Sequence, residues 1–413
     1  MSEKQALVPR LRFPEFRDAG EWEFKKLGDK DISSFVKKRV SVSDLDLDSY
    51  VSTENILPDF GGIKGASKLP PSGSFTSYKP EDILIANIRP YLKKVWVADR
   101  DGAASNDVVV VRPMKGIKGS FLSALLRSEV FIDYVMKGAK GVKMPRGDVS
   151  LMKDYSLAVP CPKEQQKIAD CLSCLDELIA AQMLKIDALK THKKGLMQQL
   201  FPRESETVPR LRFPEFWEAE EWEEKTIGKI GEVVTGNTPS TTNRNYYGGD
   251  IMFASPADIS ESRFVSKTSK TLSSEGLAIA RNIPAHSILF VCIGSTIGKV
   301  AQNAYECATN QQINVVIPFD EYVNSFIYFA LNFSSAKMAT LAGKQAVPII
   351  NKSLFSSSVL VVPSDKEEQQ KIGDCLSSLD ALIAAQVEKI DALKTHKKGL
   401  MQQLFPSVES IAS

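Results

Sequence analysis

The sequence predicts an α/β protein in which two tandem, pseudo-two-fold-related α/β domains are separated by a long antiparallel two-helix coiled coil. Three observations carry that prediction. The arm "VPRLRFPEF" at residues 8–16 returns unchanged at residues 208–216. Residues 165–202 return at 369–406 with all but five of 38 positions identical. Between these repeats identity is low, yet residues 82–113 lie over 287–318 without a gap, apolar position on apolar position. A period of roughly 200 residues implies duplicated domains rather than a solenoid of short units.

The elements follow in order. The first variable domain, with its arm, takes residues 1–160, and the first repeated helix takes 161–203. The second domain takes 204–363, and the second helix with the C-terminal tail takes 364–413. In the gapless alignment Ile83 lies on Ile288, Leu84 on Leu289, Val95 on Val300 and Val110 on Val315, while Val109 falls on Asn314. These apolar runs with turn signals between them predict three strands in each domain. A helix follows over 121–137 and 322–341, then a closing strand over 155–159 and 358–362.

The repeated helix carries a 4-3 seam. In the first copy it runs through Ile168, Leu172, Leu175, Ile179, Gln182, Ile186, Leu189, Lys193, Leu196 and Leu200. In the second it runs through Ile372, Leu376, Leu379, Ile383, Gln386, Ile390, Leu393, Lys397, Leu400 and Leu404. Such spacing sustained over about five heptads predicts a coiled coil rather than a surface helix. Gln182 and Gln386 share one seam position, a device that fixes register at some cost in stability. Ser364 with Glu367 predicts a capping box at the second helix start, and Pro202 and Pro406 mark the stops. At 1.5 Å per residue, about 38 residues span about 57 Å. The first helix carries the chain away from its domain and the second must run back, so the pair is antiparallel. That brings the C-terminus to the start of the first half.

Composition limits the possible functions. The 413 residues carry a formal net charge of +2, so binding to nucleic acid needs local basic patches rather than bulk charge. No stretch approaches the roughly 18 apolar residues of a membrane span, and the N-terminus lacks a signal-peptide core, which predicts a cytoplasmic protein that does not contact a membrane. Six cysteines are present, and Cys171 with Cys174 forms a CxxC. The second copy reads Cys375 and Ser378, and neither half supplies further ligands, so no metal site is expected.

Polar residues cluster in the loops between predicted strands. After the first strand of the alignment Arg89, Tyr91 and Lys93 stand where Gly294, Thr296 and Gly298 stand, while Lys94 and Lys299 agree. Ser295 belongs to the same loop. Before the third strand, Asn106 and its neighbours stand where Gln311 and Gln312 stand. Arg, Lys, Asn and Gln are the side chains that read base edges and phosphates. Faster drift of loops than of strands accounts for the same exchange. Further candidates are Lys37, Lys38 and Arg39, then Lys143 and Arg146 in "GVKMPRGD", and Lys344. The loop "GNTPSTTNRNYYGG" adds Asn237, Thr238, Ser240, Thr241, Asn243, Arg244 and Tyr246. "KTHKK" at 190–194 and 394–398 suits DNA, a partner or simply the helix dipole.

No catalytic constellation emerges. "GSTIGK" at 294–299 has three residues between its glycines where a phosphate loop needs four, and Val300 follows the lysine. Only three histidines exist, at positions 192, 286 and 396. A non-DNA adaptor, a coiled coil with two α/β domains that bind proteins or glycans, fits these facts as well.

The doubled "PRLRFPEF", the doubled "KIDALKTHKKGLMQQLFP", "VVTGNTPSTTNRNYYGGDI" and "ILIANIRPYLKKVW" resemble the specificity subunit of type I restriction–modification systems over essentially the whole chain. The resemblance implies that each variable domain is a target recognition domain for one half of a bipartite, asymmetric site in double-stranded DNA. It implies that the helices set the spacing and dock two modification (methyltransferase) subunits, with restriction/translocase subunits joining the full complex. It further implies that S-adenosylmethionine, ATP and Mg belong to those partners, with no cofactor or catalytic residue in this chain.

Overall fold

The computed structural model describes residues 7–343 and 348–406. The chain divides into two compact units: unit 1 takes the residues up to 181 and those from 390 onward, and unit 2 takes 182–389. Each unit therefore holds one variable domain, the first half of one repeated helix and the last half of the other.

Unit 1 contains β1 (Glu23–Lys26), β2 (Ser33–Phe35), β3 (Arg39–Ser41), β4 (Tyr50–Val51), β5 (Ser74–Tyr78), β6 (Ile83–Ala86), β7 (Val95–Val97), β8 (Gly102–Ala104) and β9 (Val108–Pro113). There follow α1 (Gly119–Leu126), α2 (Glu129–Lys137), α3 (Val149–Lys153), β10 (Ser156–Val159) and the long α4 (Pro162–Leu200). Its main sheet has the order β2-β9-β6-β7, all antiparallel, and a second sheet has the order β3-β5-β8-β4. Alternation along β6 explains why its whole run is apolar. Ile83 and Ile85 face a core shared with α1, α2 and the long helices, while Leu84 faces Tyr78 and Trp96. Both faces are covered, so both must be hydrophobic.

Unit 2 contains β11 (Glu223–Thr226), α5 (Ile227–Ile230), β12 (Gly231–Thr235), β13 (Tyr247–Ala254), β14 (Phe264–Val265), β15 (Lys270–Leu272), α6 (Ser274–Ile279), β16 (Ile288–Val291), β17 (Val300–Asn303), β18 (Cys307–Thr309) and β19 (Ile313–Pro318). It ends with α7 (Asn324–Thr340), α8 (Lys352–Ser357), β20 (Val359–Val362) and the long α9 (Lys366–Leu404). The main sheet is β12-β19-β16-β17-β14, and β15-β13-β18 forms the second. Ile288 and Phe290 face the helix-side core, Leu289 and Val291 the other, as in unit 1.

Three expectations need correction. Each aligned segment holds four strands, not three: β8 and β18 leave the main sheet to join the second one. The helix expected over 121–137 is broken, because Ser128 accepts a hydrogen bond from Phe131 N at 3.2 Å and restarts it as an N-cap. The closing strands form where expected, as β10 and β20, which pair with β1 and β11 outside the main sheets. The start of α9 is capped by Asp365, which accepts from Glu367 N at 2.7 Å, and not by Ser364. Asn314, the misfit of the alignment, is buried with both ends of its amide bonded, to Thr235 Oγ1 at 2.6 Å and Ile350 O at 3.1 Å.

The repeated text locks each unit together. In unit 1 Arg12 of the arm makes two 2.8 Å bonds to Glu164 near the start of α4, and Leu11 N donates to Gln403 O near the end of α9 at 3.0 Å. In unit 2 Arg212 grips Glu368 at 2.8 and 2.7 Å, and Leu211 N donates to Gln199 O at 2.9 Å. The next helix residue ties in the variable domain: Gln165 accepts from Lys118 N, and Gln369 from Val323 N, each at 2.9 Å. Charge pairs join the helices within each unit, Lys397 to Asp176 in unit 1 and Lys193 to Asp380 in unit 2. Burial pushes the Lys397 ammonium below its ordinary value, against the pull of Asp176. None of the seam positions in either helix is exposed, and the Oε1 atoms of Gln182 and Gln386 have no hydrogen-bond partner among the described residues. No helix among the described residues is long and apolar enough to cross a membrane.

Candidate nucleic-acid interface

Strand direction decides where the loops gather. In unit 1 β2 ends, β6 ends and β9 begins at one end of the main sheet, since Phe35 pairs with Val111 and Ala86 with Val108. Lys37 and Lys38 leave that end exposed. Arg39, also exposed, is held along β5 by Thr76 Oγ1 at 3.2 Å and Ser74 Oγ at 3.4 Å. The loop after β6 meets the one before β9 through Asn87 N to Asp107 O at 2.8 Å. It meets residues 140–147 through Arg89 N to Pro145 O at 2.7 Å and Gly147 N to Asn87 O at 3.0 Å. Gly147 cannot carry a Cβ, which would lie 2.7 Å from Asn87 Oδ1 and 2.8 Å from Val135.

Within this cluster Arg89 and Tyr91 are exposed, and neither side chain makes a hydrogen bond or ion pair among the described residues; the same holds for Asn106 and Lys143. Arg89 and Lys93 both sit at φ 53°, in the left-handed region. Lys93 is paired with Glu129 at 3.0 Å, and Arg146 with Asp107. Lys94 donates to Thr53 O at 2.7 Å, and burial, followed by nearby Lys64, lowers its pKa.

Unit 2 repeats the arrangement. Thr235 at the end of β12 pairs with Asn314, and Val291 at the end of β16 pairs with Ile313, so the loops after β12, after β16 and before β19 share one sheet end. Gly236 N donates to Ile313 O at 3.1 Å, and a Cβ at Gly236 would lie 2.2 Å from Thr309 Oγ1. Thr238 Oγ1 donates to Gln311 at 2.6 Å, which joins two of the loops. Gly294 N donates to Pro348 O at 3.1 Å, the counterpart of the Arg89–Pro145 bond. Beneath each cluster lies a buried polar atom without a hydrogen-bond partner among the described residues, Asn87 Oδ1 in unit 1 and Thr309 Oγ1 in unit 2.

The expected contact residues of unit 2 separate into two groups. Asn237 is clamped by Arg281 N at 2.8 Å and Ile279 O at 3.1 Å, and Asn243 caps Asn245 N at 3.1 Å. Lys299 donates to Ile259 O at 3.1 Å, the bracing role that Lys94 has in unit 1. Gln312 accepts from Asn310 at 3.1 Å, and Ser240 shares a 2.8 Å bond with Thr242. These groups serve the loops themselves. The side chains of Thr241, Arg244, Tyr246, Ser295 and Thr296 make no hydrogen bond among the described residues. Thr241 and Arg244 line an open concavity of about 450 Å³ together with Lys270, a cation with no motif in the sequence to mark it. Lys344 lies outside the described residues. No group of three or more metal-ligating side chains occurs among the described residues, and their cysteines are free thiols, including Cys171 and Cys174.

Residues 20–191 and 219–395 match the type I restriction modification DNA specificity domain. The type I restriction enzyme HindI specificity subunit of Haemophilus influenzae is 26% identical over 417 residues, covering 83% of this chain and 90% of that protein. The EcoR124I/EcoR124II specificity subunit of Escherichia coli is 27% identical over 57% of this chain and 58% of its own length. Among solved structures, the type I restriction–modification S subunit from M. genitalium has a TM-score of 0.61 at 15% identity, covering 97% of this chain and all of its own. A chain of another type I R-M system has a TM-score of 0.57 at 18% identity, over 93% of this chain and 97% of that one. With the family match spanning most of its length in two copies, the chain belongs to the type I restriction–modification DNA specificity family.

Proposed function

We propose that this chain is the non-catalytic DNA-specificity subunit of a type I restriction–modification complex. Each variable domain, within 1–160 and 204–363, binds one half of a bipartite, asymmetric duplex target. One observation carries the reading: both units gather their candidate loops at the equivalent end of an equivalent sheet, yet fill those loops with different polar side chains. A shared scaffold with two surfaces is what reading two different half-sites requires.

In this reading the helices 161–203 and 364–413 form an antiparallel coiled coil with an approximate internal two-fold. The charge pairs Asp176–Lys397 and Lys193–Asp380 support one register, in which Ile168 faces Leu404 and Leu172 faces Leu400, as Leu200 faces Ile372 and Leu196 faces Leu376. The coil fixes the spacing of the two readers; half-sites about one turn, roughly 10 bp, apart present to one face of the duplex. Its two near-identical halves each dock one methyltransferase subunit. Those subunits, with restriction/translocase subunits, supply the S-adenosylmethionine, ATP and Mg chemistry.

The test is methylation mapping in a host carrying this chain and its methyltransferase, followed by duplex binding across salt. The expected result is a split motif with an undefined spacer, a steep salt slope, and two methyltransferases per chain by light scattering. A continuous motif, duplex binding indifferent to salt, or a one-to-one complex overturns the reading; salt-independent capture of a protein or glycan instead favours an adaptor.

A further inference from the structure

The segment at residues 140–146 is a small hairpin that neither core accounts for. Lys140 and Arg146 exchange both backbone hydrogen bonds, each at 2.9 Å, and Gly141 takes φ 99° to turn the tip. At that tip Val142 is completely exposed and Met144 is 55% exposed, so neither contributes to a core. The hairpin is nonetheless rigidly seated: Ile88 bridges to Arg146, and Arg89 N holds Pro145 O at 2.7 Å. Loop tips are ordinarily small and polar. This one carries two bare apolar side chains among the cations Lys140, Lys143 and Arg146, of which Lys143 has no charge partner among the described residues.

A basic frame around an apolar tip complements a polyanion with a hydrophobic interior. Proteins that insert apolar side chains between base steps combine these two features. We propose that the 140–146 hairpin of unit 1 is a wedge that enters a groove of the duplex and sets Val142 and Met144 against an unstacked base step, with Lys143 on the adjacent phosphate. This rests on the DNA-binding reading above. It adds a deformation of the target that hydrogen-bond readout alone does not require, and so a source of specificity at a step no polar side chain contacts.

The experiment uses the full chain assembled with its methyltransferase, on a duplex carrying the mapped motif with 2-aminopurine scanned through the half-site read by unit 1. The probe avoids the methylated base, which the methyltransferase itself extrudes. The expected result is a fluorescence rise at one step for the native complex. In V142S/M144Q that rise is lost and affinity falls about tenfold, with the salt slope and the melting temperature unchanged because both side chains are exposed. Lys143→Gln keeps the rise and lowers the salt slope by about one. A double variant that retains both rise and affinity overturns the wedge. So does a double variant that keeps the DNA response and loses the methyltransferase, which assigns the tip to a protein contact. A native complex that binds no duplex sinks the DNA-binding reading instead, an outcome distinct from either.

Discussion

The loops after β6 and β16 occupy the same place in their units and solve the same backbone problem with opposite chemistry. Both turn through the left-handed region twice. Unit 2 does so at Gly294 and Gly298, with φ of 95° and 91°, where no side chain resists. Unit 1 does so at Arg89 and Lys93, both at φ 53°. A non-glycine residue there costs about 1–2 kcal/mol. Ordinary drift does not favour retaining two such residues in one loop, whereas a requirement for the side chains themselves does. The Arg89 backbone holds Pro145, but its exposed side chain has no hydrogen-bond partner among the described residues. The difference teaches that unit 1 gives up stability at the position where its surface is most distinctive, and unit 2 does not.

The largest expected effect isolates the two surfaces outright. Replacing residues 20–160 with those of a relative changes one half-motif completely and leaves the other intact, as read by methylation mapping. A change in both halves would falsify the modular reading. Next comes the lock that both units share. Glu164→Ala strands a buried guanidinium and costs about 3–5 kcal/mol of unit 1 stability by denaturant titration. Glu368→Ala costs about 1 kcal/mol more, because Trp222 Nε1 also donates to Glu368 at 3.2 Å while Trp22 Nε1 has no partner among the described residues. Equal losses would remove that asymmetry.

The lock and the loops were legible in the sequence to different degrees. The repeats located the long helices, and the 4-3 spacing named positions none of which is exposed, because identity and periodicity are local properties. The lock partners, Arg12 with Glu164 and Gln165 with Lys118 N, lie in repeated text but are set by chain reversal, which periodicity does not encode. Lys94 and Lys299 read as DNA contacts, and their carbonyl acceptors, Thr53 O and Ile259 O, stay hidden in the sequence because they come from loops some 40 residues away. Asn237 likewise looks like a groove residue until its clamp on 279–281 is seen. The second sheet of each unit escaped notice because β3, β4, β15 and β18 are two or three residues long, too short to show an alternation. The left-handed pair was half legible: glycine announced it in unit 2, and only alignment carried it to unit 1.

Exchanging those residues has a medium-sized effect that separates strain from function. Arg89→Gly stabilises unit 1 by up to about 1 kcal/mol while weakening duplex binding about tenfold or more. Gly294→Arg destabilises unit 2 by about 1–2 kcal/mol. Chemical denaturation reads the first effect and duplex titration the second. If Arg89→Gly destabilises the fold, the arginine is a structural residue and the comparison loses its meaning.

The smallest effect concerns Lys93, the other left-handed residue, and its sign follows from proton linkage. Glu129 accepts Lys93 on one oxygen at 3.0 Å, and Lys398 of α9 is its second partner. Those two hydrogen bonds, to Lys398 and then Lys93, hold its carboxyl below the ordinary value of 4.5. The unfolded chain therefore binds the proton more tightly than the folded one. The contribution is fully present above pH 4.5 and disappears as pH falls through the lower folded value. Because Glu129 is 42% exposed, solvent screens much of it. At the equivalent place unit 2 has Gly298 and no cation to pair. Acid titration should thus loosen unit 1 slightly before unit 2, with Glu129→Gln abolishing the difference. Coincident acid transitions in the native chain would show that Lys93 is held by its backbone alone, leaving its ammonium free for the duplex from the start.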